Sequence, residues 1–219
     1  MKAEIHSLAG QRLFEMFELL SGHFGPQNWW PAETELEMMV GAVLTQNTNW
    51  KNVEKAIDNL KKRGVLSVKA LGSLPAVDLA EAIRPAGYFN IKAKRLKNLI
   101  QFIIEQYEAD LFLFLKDDTE RLREGLLSVK GVGPETADSI LLYAARRPVF
   151  VIDAYTHRIL VRHAMTGEEA GYYELQDLFM DHLPVDVGLF NEFHALIVKT
   201  GKNYCRRRPL CEECPLQGW

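Results

Sequence analysis

Cysteine is scarce in this chain and confined to one place: all 3 residues lie between positions 205 and 214 of 219. Three thiols crowded together do not make the spread framework of a disulfide-stapled secreted domain. Long apolar runs are missing too. No stretch approaches the ~20 residues needed to cross a bilayer, and no basic n-region followed by an apolar h-region opens the chain. A cytoplasmic protein is the expectation. Excess positive charge is also lacking, since the formal net charge is −3. Attraction to a polyanion would therefore have to come from local clusters and not from the global field. Strand-like alternation is nearly absent; the one β-like stretch, Val149 to Ile152, is too short and isolated to build a sheet. There is no internal repeat and no low-complexity segment.

What remains is ordinary globular material, 47% hydrophobic, long enough to bury a substantial core without covalent staples. Its pattern is helical. Leu96, Leu99, Ile100, Ile103, Ile104 and Tyr107 fall on one stripe at i, i+3, i+4 spacing, as do Val53, Ala56, Ile57 and Leu60. Leu36, Met39, Val40, Val43 and Leu44 repeat the pattern, and Leu175, Leu178, Phe179 and Leu183 continue it late in the chain. Breaks fall at Gly64, Gly72 to Pro75, Pro85 to Gly87, Pro148 and Pro184. The fold class is all-α. Basic residues cluster at Lys92, Lys94, Arg95 and Lys97, at Arg146 and Arg147, and at Lys199, Lys202, Arg206, Arg207 and Arg208. Charge runs are commonly just solvated faces, but these lie close in sequence to the two segments that carry chemistry.

The first such segment is LLSVKGVGPETADSILLYAARRPVFVIDAYTHR, residues 126–158. A helical run ends at Gly131, Val132 and Gly133, and a second helix starts at Pro134. The glycines permit a tight bend with exposed N–H groups, because glycine tolerates φ > 0, and proline suits a first helical position. Amides at a helix N-terminus on a bare turn suit an anion such as a phosphate. A lone carboxylate, Asp153, lies twenty residues after the turn, at the foot of a third helix, where Asp is also a favoured N-cap.

The Gly-Val-Gly-Pro turn, Thr136-Ala137 and the spacing to Asp153 resemble the helix-hairpin-helix and Gly/Pro-Asp element of the endonuclease III superfamily of DNA glycosylases. The resemblance runs from about Gln27 to Cys214. It implies a six-helix domain over 29–147 carrying the hairpin, and a second helical domain formed by 1–28 and 148–219. An active-site cleft is expected between them. Gly131, Gly133 and Thr136 would grip the DNA backbone, while Gln46 and Tyr88 would fill the gap left by an extruded nucleotide. Asp153 would face the sugar, stabilising the positive charge that builds as the N-glycosidic bond breaks and orienting a water. The partner implied is damaged double-stranded DNA, the acting species a monomer, and the setting a bacterial or archaeal nucleoid.

Bifunctional members of that family carry lysine after the turn proline; this chain has Glu135, which cannot form an imine. A monofunctional, water-using glycosylase is the expectation. Trp29, Trp30 and Pro31, with Trp50 beyond the Thr-Gln-Asn-Thr run, resemble the 3-methyladenine DNA glycosylase III branch. Aromatic faces suit a cationic alkylated purine, and Lys199 is a further candidate for that pocket. Core packing is the plainer reading of the tryptophans. Two other functions compete: an endonuclease III-like glycosylase with AP lyase activity on oxidised pyrimidines, and a non-catalytic helix-hairpin-helix DNA-binding protein.

The second segment holds Cys205, Cys211 and Cys214. The family pattern is C-x6-C-x2-C-x5-C around a 4Fe–4S cluster. Here the first spacing is x5 and the fourth cysteine is absent, the sequence ending at Trp219 one position short of its place. A 4Fe–4S cluster is the leading expectation, with zinc or no metal as alternatives.

Overall fold

A computed structural model describes residues 7–219. Among the described residues twelve α-helices succeed one another: α1 (Leu8–Phe24), α2 (Glu35–Thr45), α3 (Trp50–Lys62), α4 (Val68–Ser73), α5 (Ala76–Ala82), α6 (Phe89–Tyr107), α7 (Leu111–Lys116), α8 (Thr119–Ser128), α9 (Pro134–Ser139), α10 (Ala154–Arg162), α11 (Tyr172–Met180) and α12 (Val187–Asn203). No strand occurs among the described residues. The all-α expectation holds. Helix starts obey side-chain chemistry: Ser7, Thr34, Asn49, Ser67, Asp110, Asp118, Asp153 and Asp186 each accept a hydrogen bond from an amide of the first turn. None of the helices is long and apolar enough to cross a membrane.

The chain divides into two compact units, one formed by the chain up to Trp29 with Pro148–Trp219, the other by Trp30–Arg147. In the Trp30–Arg147 unit, α2 is the central element. Every residue from Leu36 to Leu44 is buried, so the amphipathic stripe read from sequence understates it. It packs against α3, α6 and α9. Helix α6 in turn carries α4, α5 and α7 on its flanks. Immediately after α9 the chain widens into a π-turn over Ile140–Ala144, closed by the Ala145 amide on Ile140 O. Such wide turns insert a residue into a helical run and re-aim the side chains beyond it.

In the other unit α12 packs on α1 and α10, and α11 on α1. Phe150 and Phe179 stack with centroids 3.8 Å apart, and Phe193 meets both edge-on. The extended run Val149 to Ile152 enters this core without a sheet, so side chains must satisfy its backbone. They do: Gln176 donates to Phe150 O at 2.7 Å, and the Ile152 amide donates to the Tyr172 hydroxyl at 3.4 Å. That buried strut delivers Asp153 to the start of α10.

Candidate functional site

Asp153 caps α10 with one oxygen. Its Oδ1 accepts from the Thr156 amide at 2.7 Å and from the Thr156 hydroxyl at 2.9 Å. Oδ2 lies 3.9 Å from His194 Nε2, and the side chain is 11% exposed. The carboxylate's field reaches three neighbours. Burial lowers the pKa of His194, with Asp153 opposing the shift and Lys202 adding to it. Loss of hydration also lowers Lys202, partly offset by Asp153. Burial and then Asp153 raise the Tyr155 phenol. Neither His194 nor Tyr155 stands out in the sequence. Lys202 does so only as part of a basic run, although it lies three residues beyond Lys199 on one helix face. Lys199 itself sits over the Phe24 ring at 4.9 Å, whereas Lys202 lies 5.7 Å from the Trp29 ring.

The hairpin joins α8 to α9. Gly131 has φ 102, and a Cβ there would collide with Arg95 Cγ. Gly133 is different. Its φ of −99 is open to any residue, and a Cβ would meet nothing within 4 Å. The expectation that both glycines serve the bend is therefore corrected: only Gly131 needs φ > 0. At Gly133, glycine preserves bare backbone on an exposed surface, the condition for close approach by something outside the protein. Thr136 is buried, and its hydroxyl accepts from Gln46 Nε2 at 2.9 Å. Gln46 also donates to Gly131 O at 3.3 Å and accepts from Arg95 Nη1. Any role of Thr136 towards DNA thus runs through Gln46. Glu135 lies in the first turn of α9 and is exposed. Tyr88 stands 71% exposed in a left-handed conformation, φ 46, at the start of α6.

The basic cluster opening α6 needs a second correction. Lys92 is buried, and its ammonium donates to Leu44 O and Ala86 O. Loss of hydration, then Arg95, brings its pKa down to about 8. Lys97 donates to the carbonyls of Leu71, Gly72 and Leu74. Of the four, only Lys94 is exposed. Arg147 likewise serves the fold, donating to Leu115 O and Asp117 O. Lys92, Lys97 and Arg147 thus satisfy main-chain carbonyls of the fold, while Lys94 and Arg146 remain exposed.

Trp30 meets Trp50 edge-on with centroids 5.3 Å apart and tilts against Tyr143, also at 5.3 Å. Two features hidden in the sequence allow this. The π-turn carries Tyr143, and Gly41 leaves room for both indoles, since a Cβ there would lie 3.3 Å from Trp30 Nε1 and 3.6 Å from the Trp50 ring. Trp50 donates through Nε1 to Glu54 at 2.8 Å. Beside it opens a cavity of about 500 Å³ bordered by Pro31 and Trp50 and lined by the charged residues Glu37, Lys51, Glu54, Lys55 and Asp58. Glu37 is held by Lys61 at 2.9 Å.

Cys205 is buried, Cys214 half-buried and Cys211 exposed. Burial raises the Cys214 thiol, the Leu216 amide opposes the shift, and the neighbouring Cys205 and Cys211 add to it. Arg162 Nη1 donates to Cys205 Sγ at 3.2 Å, and Arg158 Nε to Cys205 O at 2.7 Å. The donor chemistry suits a soft metal. Yet no group of three or more His, Cys, Asp or Glu among the described residues is arranged to hold a metal ion. The thiols fit such a site in part, and among the described residues no fourth donor is grouped with them.

Comparison with known proteins identifies the family. Residues 40–184 match the model of the HhH-GPD superfamily base excision DNA repair proteins. A Methanocaldococcus jannaschii protein provisionally named a DNA repair glycosylase is 48% identical over 94% of both chains. The crystal structure of H. pylori 3-methyladenine DNA glycosylase bound to 1,N6-ethenoadenine superposes with a TM-score of 0.76 and 32% identity, over 87% of this chain and 97% of that one. An endonuclease III–DNA complex superposes at 0.81 with 20% identity, over 96% and 94% respectively, a likeness of fold.

Proposed function

This chain belongs to the HhH-GPD superfamily of base excision DNA repair proteins, as a DNA glycosylase, and we propose that it is a monofunctional one that hydrolyses the N-glycosidic bond of alkylated purines such as 3-methyladenine. Two features support this reading: a carboxylate, Asp153, with one oxygen committed to its helix, and a glutamate, Glu135, at the sequence position where an imine-forming lysine would stand. With Oδ1 fixed by Thr156, Oδ2 is the oxygen left to meet the sugar. There it would offset the charge developing at the anomeric carbon and orient the attacking water. No covalent intermediate is required.

The bare backbone at Gly133 and the amides of α9 would hold a phosphate without reading sequence. Gln46 and Tyr88 would offset part of the cost of unstacking a base. The aromatic group of Trp30, Trp50 and Tyr143, with Pro31, supports a pocket for a cationic base, and three carboxylates line the cavity beside Trp50. A cavity of about 500 Å³ is of the size that takes small ligands. Cys205, Cys211 and Cys214 are proposed to hold an iron–sulfur cluster whose role is to brace the loop carrying Arg206, Arg207 and Arg208 near DNA phosphates. Zinc, or no metal, is the outcome against it.

An excision assay tests the reading on duplexes carrying 3-methyladenine, 7-methylguanine, hypoxanthine, thymine glycol or an abasic site. Release of alkylated purines without strand nicking is expected. Nicking at thymine glycol or abasic sites would sink it. One observation favours the second reading, a glycosylase with lyase activity: Lys202 offers an amine of lowered pKa within the field of Asp153. Borohydride trapping of a DNA adduct that disappears in Lys202→Met would establish that alternative.

A further inference from the structure

Helix α6 turns a polar edge towards three separate loops. Lys92, 2% exposed, donates through Nζ to Leu44 O at 2.9 Å and to Ala86 O at 2.8 Å. Those carbonyls lie two residues before Gln46 and two before Tyr88. One turn further, Arg95 donates to Gln46 Oε1 and lies against Gly131. Another turn on, Asn98 donates to Lys130 O at 2.8 Å. Each loop needs such restraint. Asn47 and Tyr88 are non-glycine residues at φ 54 and 46, conformations that persist only where the surroundings over-determine them. Between the two loops a recess of about 160 Å³ stays open, bordered by Gln46, Asn47, Tyr88, Ile91, Lys92 and Arg95.

Packing alone would not choose lysine here. Leu96 and Leu99, at i+4 and i+7, are buried and apolar, and a buried ammonium loses hydration that a methionine of similar length would not. A charge kept in such a place against that cost fits a geometric role. We infer that Lys92 is a positioning residue for base extrusion: it fixes the spacing between the loops carrying Gln46 and Tyr88, so that both side chains enter a duplex as one unit. This rests on the wedge roles proposed above for those two residues.

The test uses the full chain with Lys92→Met, alone and combined with Gln46→Ala or Tyr88→Ala. The probe is a duplex with 2-aminopurine opposite a tetrahydrofuran abasic analogue, alongside an undamaged duplex. Folded Lys92→Met is expected to bind undamaged DNA within about twofold of the parent. Its 2-aminopurine signal should fall about fivefold, and single-turnover excision about tenfold with little change in KM. Gln46→Ala and Tyr88→Ala should then add little in that background, because residues acting as one unit are non-additive. A folded Lys92→Met with the parental signal, or with fully additive losses, overturns the inference. Should Lys92→Met fail to fold, Lys92→Leu, which also removes the donor, is judged by the same readouts. The fluorescence signal does not depend on lesion chemistry. A parent that extrudes the probe but releases no alkylated purine would defeat the substrate reading and leave this one standing.

Discussion

Thr156 donates twice to the same oxygen of Asp153, from its amide at 2.7 Å and its hydroxyl at 2.9 Å. The carboxylate is thereby divided into an oxygen bound to the start of α10 and one left for the proposed chemistry. Asparagine can keep the structural half, since Asn and Asp cap helices about equally well. It cannot keep the charge.

Asp153→Asn is accordingly expected to melt close to the parent while excision falls by about 10²- to 10⁴-fold, the usual worth of a positioned acid–base group. Thr156→Val should cost roughly 1 kcal/mol of stability, the net value of a hydrogen bond, and lower excision less than Asp153→Asn does. Thermal melts paired with single-turnover assays check both. Parental excision in folded Asp153→Asn would remove this residue from the chemistry.

The two hairpin glycines should separate cleanly on substitution. Gly131→Ala meets Arg95 and a left-handed backbone, and is expected to destabilise by about 1–3 kcal/mol. Gly133→Ala meets neither, so it should fold normally and lose affinity for undamaged duplex by about tenfold through lost backbone approach. Denaturant titration and a binding isotherm at fixed salt distinguish them. Equal effects on both quantities would refute the division.

His194 gives stability a pH dependence of known sign. Unfolded, the imidazole titrates near 6.5; folded, burial holds it lower. Between those two values the unfolded chain binds a proton that the folded chain refuses. Stability therefore rises with pH through that window and is lost as pH falls below about 6.5, by at most about 1.4 kcal/mol per pH unit. Urea unfolding at about pH 5 and pH 7 should show a smaller difference in His194→Gln than in the parent. An unchanged difference would mean the group is not the source.

Helix content was legible because apolar spacing is a local property: the stripe Val53, Ala56, Ile57 and Leu60 is the buried face of α3. The hairpin and Asp153 were legible because glycine, proline and a capping carboxylate act over few residues. Lys92 reads by composition as a DNA-facing cation, although it sits four residues before Leu96 on the apolar stripe, a signal of burial present in the sequence. Tyr143 escapes notice for a deeper reason. Its approach to Trp30 depends on a π-turn, and Trp30 in turn needs the space that Gly41 leaves. Pairings of that kind are set by packing and leave no periodic trace.

The cysteine loop makes a prediction independent of catalysis. Protein purified anaerobically should carry iron and absorb in the visible, with both lost in Cys211→Ser. Arg162→Ala, which removes the donor to Cys205 Sγ, should speed loss of the metal to a chelator. Colourless, iron-free protein that folds and binds DNA normally would show that the loop stands without metal.

The chain up to Trp29 completes its unit only with Pro148–Trp219, and α1 packs on α11 and α12. On the ribosome, therefore, α1 emerges before Trp30–Arg147 and waits for partners made after it. Leu13, Met16 and Leu20, all buried in the finished protein, stay uncovered while Trp30–Arg147 is made and can pack within itself. Interrupted synthesis past Arg147 would release a chain with one unit assembled and a greasy helix in tow, a product for chaperones and proteases to recognise.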